Sequence, residues 1–239
     1  RQPKEPTQAE KERHMLTHLP YAPWCPACVA GKGKINRHVG STSHQPVIQV
    51  DYTFPQIVKN GNITILSAID TLTGLCHAVL LPTKSVSDYS AMEIRSFLMD
   101  AGRSGDIIIQ SDQEETIKAL VRKVTEGTNN IKTRTSPAYS SGSQGAVERF
   151  HQTLQAQIRT LIEALKASAG FVITEKSPLL PWIVRHAAFT LGRFTVHSSD
   201  KQTSYFRRWG HEYQAPLCEF GEHVWFKVAV DKKDHAKLS

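Results

Sequence analysis

Three acidic residues stand where this 239-residue sequence could do chemistry. Asp51 lies inside Val47-Ile-Gln-Val-Asp-Tyr-Thr-Phe54, a run with the β-branched content of a strand. A charge within such a run costs several kcal/mol unless it is paired or holds a metal. Asp112 follows Ile107-Ile-Ile-Gln-Ser111, and Glu148 follows a Ser/Gly loop at residues 136–145. Sixty residues separate the two aspartates, and thirty-five separate Asp112 from Glu148. Converging carboxylates repel one another, and a divalent ion removes that repulsion. Oxygen-only ligation suits Mg²⁺ or Mn²⁺. Two such ions close together can activate an attacking oxygen and stabilise a leaving one in phosphoryl transfer. Simpler roles exist for two of the three: an aspartate at a strand end is a common turn residue, and an acid in a first helical turn favours the dipole. Asp51, mid-strand, has no such role. Asp70, in Ile-Asp-Thr-Leu-Thr-Gly, reads as a turn acid, and Glu114 and Glu115 as helix-start acids.

A second constellation precedes the first strand. His14-x3-His18-x6-Cys25-x2-Cys28 supplies two imidazoles and two thiolates, a set that zinc accepts. Cys25, Cys28, His38 and His44 form an alternative set. Trp24 and Tyr21 read as the small core of this module. The linker that follows carries Lys32, Lys34 and Arg37, which could track phosphates. Cys76 and Cys218 read as small apolar fillers in strand-like surroundings.

The elements that must position the acids follow from periodicity. Strands are predicted at Val47–Phe54, Ile63–Ile69, Cys76–Leu81, Asp106–Ser111 and Ile131–Thr135. Helices are predicted at Ser87–Leu98 and Glu114–Val124. A long helix follows from Ala146, with Val147, Phe150, Leu154, Ile158, Leu161 and Leu165 at helical spacing. On that helix Gln152, Gln155 and Arg159 share a face with Glu148 and could run along a nucleic-acid backbone. A helix at Leu179–Phe194, a helical turn at Tyr205–Trp209 and a strand near His223–Val230 complete the chain.

Composition narrows the class. The hydrophobic fraction of 40% is far above that of a disordered chain. No apolar run approaches the ~20 residues needed to span a bilayer, so a membrane partner is not expected. The first residue is Arg1 rather than Met, which suggests a processed product or a fragment of a polyprotein. The net charge of +7 suggests an acidic partner, nucleic acid first. It is unevenly placed: residues 1–45 carry seven Lys and Arg against three acids, and 178–239 carry nine against six. Residues 46–177 carry thirteen of each.

The motifs Gln49-Val-Asp51-Tyr, Gln110-Ser-Asp112 and Ser141-Gly-Ser-Gln-Gly145-Ala-Val-Glu148-Arg resemble the D,D-35-E signature of retroviral and retrotransposon integrases. The segment His14–Cys28, followed by Gly-Lys-Gly-Lys, resembles the stretch before the core in Ty1/copia-type Pol polyproteins, and Phe220-Gly-Glu-His-Val resembles the end of such regions. The resemblance implies an α/β architecture: an RNase H-like mixed five-stranded sheet with flanking helices. A small zinc-binding module and basic linker at 1–45 would precede a catalytic core at 46–170. A helical extension at 171–239, ending in a strand, would follow.

It also implies insertion of element DNA into a double-stranded target, acting in the nucleus after assembly of the element particle in the cytoplasm. Asp51, Asp112 and Glu148 match the Mg²⁺-binding triad, and Gln144 and Gly145 match the mobile loop that approaches the DNA end. Retroviral members often carry lysines where this chain has Gln152 and Gln155, so Arg149 or Arg159 must supply DNA contacts. Zn²⁺ would sit on His14, His18, Cys25 and Cys28. Joining two DNA ends calls for a homo-multimer. Two rivals remain: a ribonuclease H or resolvase-type nuclease on the same fold, and an inactive, domesticated DNA-binding protein.

Overall fold

Burial with period two builds the central sheet. In the computed structural model, residues 5–17, 22–26, 45–57, 63–136 and 144–225 are described. Strand β1 (Val47–Thr53) sends Ile48, Val50 and Tyr52 into one core, so Gln49 and Asp51 face the other side. Strand β2 (Thr64–Asp70) is buried on both faces, with Leu66 and Ala68 in the first core and Ile65 in the second. β1, β2 and β3 (Cys76–Leu81) form an antiparallel meander. β4 (Ile107–Ser111) pairs parallel with β1, and β5 (Ile131–Thr135) pairs parallel with β4. The strand order is β3-β2-β1-β4-β5. This is the mixed five-stranded sheet that the sequence predicts.

The two cores take different helices. Helix α2 (Asp88–Asp100) starts at a Ser87 capping box and buries Ile94, Phe97 and Leu98; α3 (Glu115–Thr125) buries Ile117, Leu120, Val121 and Val124. These line the first core. On the opposite face, α4 (Gly145–Ala169) presents Phe150, Leu154, Ile158 and Leu165 at helical spacing, and α5 (Leu180–Phe194) presents Ile183, Val184, Ala187 and Ala188. Each buried Leu, Ile, Val or Phe side chain among these stabilises the layer by about 1.5–3 kcal/mol. Pro181 opens α5 where a missing amide costs nothing. Gly170, at φ +70°, ends α4 in the left-handed conformation that stops a helix. Helix α6 (Ser204–Trp209) is capped by Thr203, and Arg208 ties it to the carbonyls of Ala101 and Gly102.

Residues Arg1–Ser41 and Thr42–Ser239 are separate compact units. In the first, α1 (Gln8–Thr17) carries buried His14, whose ring meets Trp24 edge-on at 4.8 Å, and Ala22 and Cys25 are buried. Tyr21, His18, Cys28, Lys32, Lys34, Arg37, His38 and His44 lie outside the described residues. Two expectations change in the second unit. Residues 223–225 adopt no regular structure, and the rest of the strand expected near His223–Val230 lies outside the described residues. Cys218 is exposed and in no strand, so only Cys76, in β3, has the strand surroundings expected of both. Among the described residues no helix is long and apolar enough to cross a membrane.

Candidate active site

The parallel β1–β4 pairing sets the site. Gln49 is in register with Gln110, and two residues further along lie Asp51 and Asp112. Alternation keeps Asp51 on the face covered by α4. The Gln49 side chain holds that helix, because Oε1 accepts from the Val147 amide at 3.0 Å, one residue before Glu148. An amide of the uncapped first turn thus finds a partner on the sheet.

The aspartates are electrostatic neighbours. Burial pushes the Asp51 carboxyl up to about 6, with smaller upward contributions from Asp112 and Glu114. The Tyr52 amide donates to Asp51 Oδ1 at 2.8 Å, and Lys84 nearby opposes the rise. Asp112 Oδ1 accepts from the Glu114 amide at 3.0 Å, so this residue does serve as a turn acid as well. Glu148 is exposed on the first turn of α4. Among the described residues, no three His, Cys, Asp or Glu side chains stand close enough together to hold a metal ion. The structure therefore brings two of the three expected acids together and leaves the third on the adjoining helix end.

Behind the aspartate runs a polar chain that sequence reasoning missed. Ser67, wholly buried and opposite Asp51 in the β1–β2 register, donates to the Asp51 carbonyl at 3.0 Å. Its Oγ lies 2.6 Å from Nε2 of His151. The hydroxyl proton is committed to the carbonyl, so the imidazole is the donor, with its hydrogen on Nε2. Burial pushes His151 down to about 4, which keeps it neutral at pH 7. His151 lies one helical turn beyond Glu148, and that spacing was the signal available in the sequence.

Other expected residues fall in different places. Gln144 is buried, and both polar atoms of its side chain lack a hydrogen-bond partner among the described residues. Gly145 opens α4. Gln152 and Arg159 are exposed along that helix. Arg149 is exposed too, but it lines a cavity on another flank of α4. Glu115 pairs with Lys118 one turn on, as a helix-start acid can. Glu114 stands at the N-cap of the same helix, as expected of a helix-start acid, but its side chain is used elsewhere. It makes no cap hydrogen bond; its carboxylate pairs with Lys84, beside the rings of Tyr52 and Phe54. Burial, with a smaller contribution from Glu114, pushes the Tyr52 hydroxyl up to about 12.

No protein-family model matches the chain, and no curated protein matches it in sequence. Solved structures do. A chain of the simian T-cell lymphotropic virus intasome, in complex with PP2A regulatory subunit B56 gamma, has a TM-score of 0.56 at 17% identity, covering 85% of this chain and 69% of that one. The fold, a five-stranded mixed sheet with flanking helices, is shared with that chain. The HTLV-2 integrase catalytic core domain in complex with magnesium (trimeric form) matches at 17% identity and a TM-score of 0.49, over 68% of this chain and 95% of that one. The BIV integrase catalytic core domain matches at 18% identity and a TM-score of 0.44, over 69% and 93%. In this chain the Asp51–Asp112 pair sits just past the parallel β1–β4 pairing, beside the N-terminus of α4.

Proposed function

We propose that the chain is a Ty1/copia-type retrotransposon integrase, a polynucleotidyl transferase that processes 3′ ends and joins element DNA to a double-stranded target. The Asp51–Asp112 pair carries this reading: two carboxylates on register-matched strands, one pushed up to about 6 chiefly by burial. An all-oxygen, mutually repelling pair fits a hard divalent cation, Mg²⁺ or Mn²⁺. Asp51, Asp112 and Glu148 would hold it. The ion, when bound, supplies Lewis-acid stabilisation and an oxygen nucleophile at neutral pH.

The chain's own residues do the rest. Lys84 offsets part of the charge at Asp51. Gln144, whose buried side-chain amide has both its donor and its acceptor unpaired among the described residues, exchanges hydrogen bonds with the DNA end beside Gly145. Gln152 and Arg159 follow the DNA backbone along α4, and Lys32 and Lys34 add phosphate contacts. His14, His18, Cys25 and Cys28 hold Zn²⁺, with His38 and His44 as the alternative imidazoles; burial of His14 and Cys25 supports their use. The three-part division at 1–45, 46–170 and 171–239 belongs to the same reading. Exposed Tyr89, Met92 and Met99 on α2 and Trp182 on α5 support self-association into a homo-multimer. The protein acts in the nucleus after assembly in a cytoplasmic particle.

The deciding experiment is a strand-transfer assay with Mg²⁺ on the full chain. Joining that Asp51→Asn abolishes while the protein stays folded is the expected result, and undiminished joining by that variant overturns the reading. Cleavage without joining assigns the chain to the ribonuclease H or resolvase class. Absence of Mg²⁺ or Mn²⁺ binding by calorimetry assigns it to inactive DNA-binding proteins.

A further inference from the structure

The sequence from Ser136 to Gly145 connects β5 to α4, and the sheet holds both of its ends. Ser136 follows β5 directly and is buried. Its amide donates to the Ser111 carbonyl at 2.9 Å, Gln110 Nε2 donates to its Oγ at 3.0 Å, and Gln113 Nε2 donates to its carbonyl at 3.0 Å. Those partners stand on both sides of Asp112. At the other end Val147 is buried, and its amide donates to Gln49 Oε1 at 3.0 Å. Glu148 comes next in the chain.

The two glutamines form a matched pair. Gln49 and Gln110 are register partners in the parallel β1–β4 ladder, and each stands two residues before an aspartate of the site. Both are buried. Burial alone does not call for glutamine at either position, since an apolar side chain of similar volume would fill the space without a polar group to satisfy. Each amide is instead aimed. Gln110 Oε1 accepts from Arg134 Nη2 in the neighbouring strand, which turns Nε2 toward Ser136. Gln49 presents its Oε1 to α4, where a first-turn amide needs an acceptor.

We infer that Gln49 and Gln110 are positioning residues: they fix both ends of the connection beside the aspartates and so set where the first turn of α4, with Gln144 and Glu148, stands against β1 and β4. They act through Val147 and Ser136, not on the reacting atoms. The catalytic consequence rests on the integrase reading; the anchoring does not.

The test uses the full chain, ¹⁵N-labelled and in EDTA, with amide hydrogen exchange as the first readout. Gln49→Met keeps the volume and removes the acceptor, so the Val147 amide should exchange about tenfold faster, the equivalent of one lost hydrogen bond. The amides of Leu154 and Ile158, further along α4, should not change. Gln49→Glu returns an acceptor and should restore protection. Gln110→Met should release the Ser136 amide in the same way. Gln113→Ala, at an exposed position, should loosen that end even if Gln110→Met fails to fold. The second readout is strand transfer with Mg²⁺: kcat should fall about 10–100-fold in Gln49→Met and Gln110→Met, with KM for DNA unchanged. Wild-type exchange at both ends in the variants overturns the proposal, whatever the chain does to DNA. Faster exchange with kcat unchanged overturns it too, because the glutamines would then only support the fold. Released ends in variants of a chain that joins no DNA overturn the integrase reading and leave the anchoring in place, so the two fail separately.

Discussion

Two aspartates in neighbouring strands have opposite surroundings. Asp70, at the end of β2, is wholly buried and meets the Leu72 amide, the Thr73 hydroxyl and the Arg103 guanidinium. Asp51, in β1, has one backbone donor, a lysine already paired elsewhere, and a second aspartate beside it. Asp70 is fully provided for by the chain and holds a turn. Asp51 is left with burial and repulsion that the folded protein alone does not relieve. A buried acid with a complete partner set is a structural fastener, whereas one facing another acid is a candidate for function.

This contrast can be broken from either side. The largest effect should come from Asp51→Asn, lowering metal-dependent strand transfer by on the order of 10³-fold or more, equivalent to about 4 kcal/mol of barrier. Circular dichroism should show the variant folded. Removing the fastener should do the reverse: Arg103→Ala strands the Asp70 charge and should lower unfolding free energy by about 3–5 kcal/mol in urea melts.

The third prediction concerns pH in metal-free protein. Asp51 titrates near 6 when folded, against an ordinary value of 3.8. The folded state therefore holds the proton more tightly, so Asp51 lowers stability above pH 6 and the loss is recovered as pH falls toward 4. Urea melts in EDTA should show this contribution as about 1–3 kcal/mol. Asp51→Asn should remove that dependence, and saturating Mg²⁺ should flatten it. The smallest effect belongs to His151→Leu, which removes the donor to Ser67 and should cost about 0.5–1.5 kcal/mol of stability. His151→Gln, able to donate to the same hydroxyl, should restore part of it.

Much of the frame was legible along the chain. The run Val47–Thr53 alternates so that Ile48, Val50 and Tyr52 share a core, and that alone sends Asp51 to the other face. Phe150, Leu154 and Ile158 at helical spacing mark the buried stripe of α4, and thereby the exposed face bearing Glu148. The site's neighbours were less legible. Lys84 sits in a loop with no pattern of its own and reaches Glu114 thirty residues on. Glu114 looks like any acid at a helix start until its carboxylate turns away from the helix. Arg149 reads as a DNA contact next to Glu148, yet it lines a cavity that none of the three acids lines.

Sequence alone determined on which face of a strand or helix the periodic apolar residues stand, because periodicity is a local property of strand and helix geometry. It also placed the motifs that resemble an integrase signature. Only the tertiary structure decided that Asp51 and Asp112 meet while Glu148 stays on the helix end, that Asp70 is consumed by Arg103, and that Ser67 and His151 back the aspartate. Those outcomes depend on parallel register between segments sixty residues apart and on how a helix docks across a sheet. Register and docking are set by the packing of two cores, which no single stretch of chain encodes.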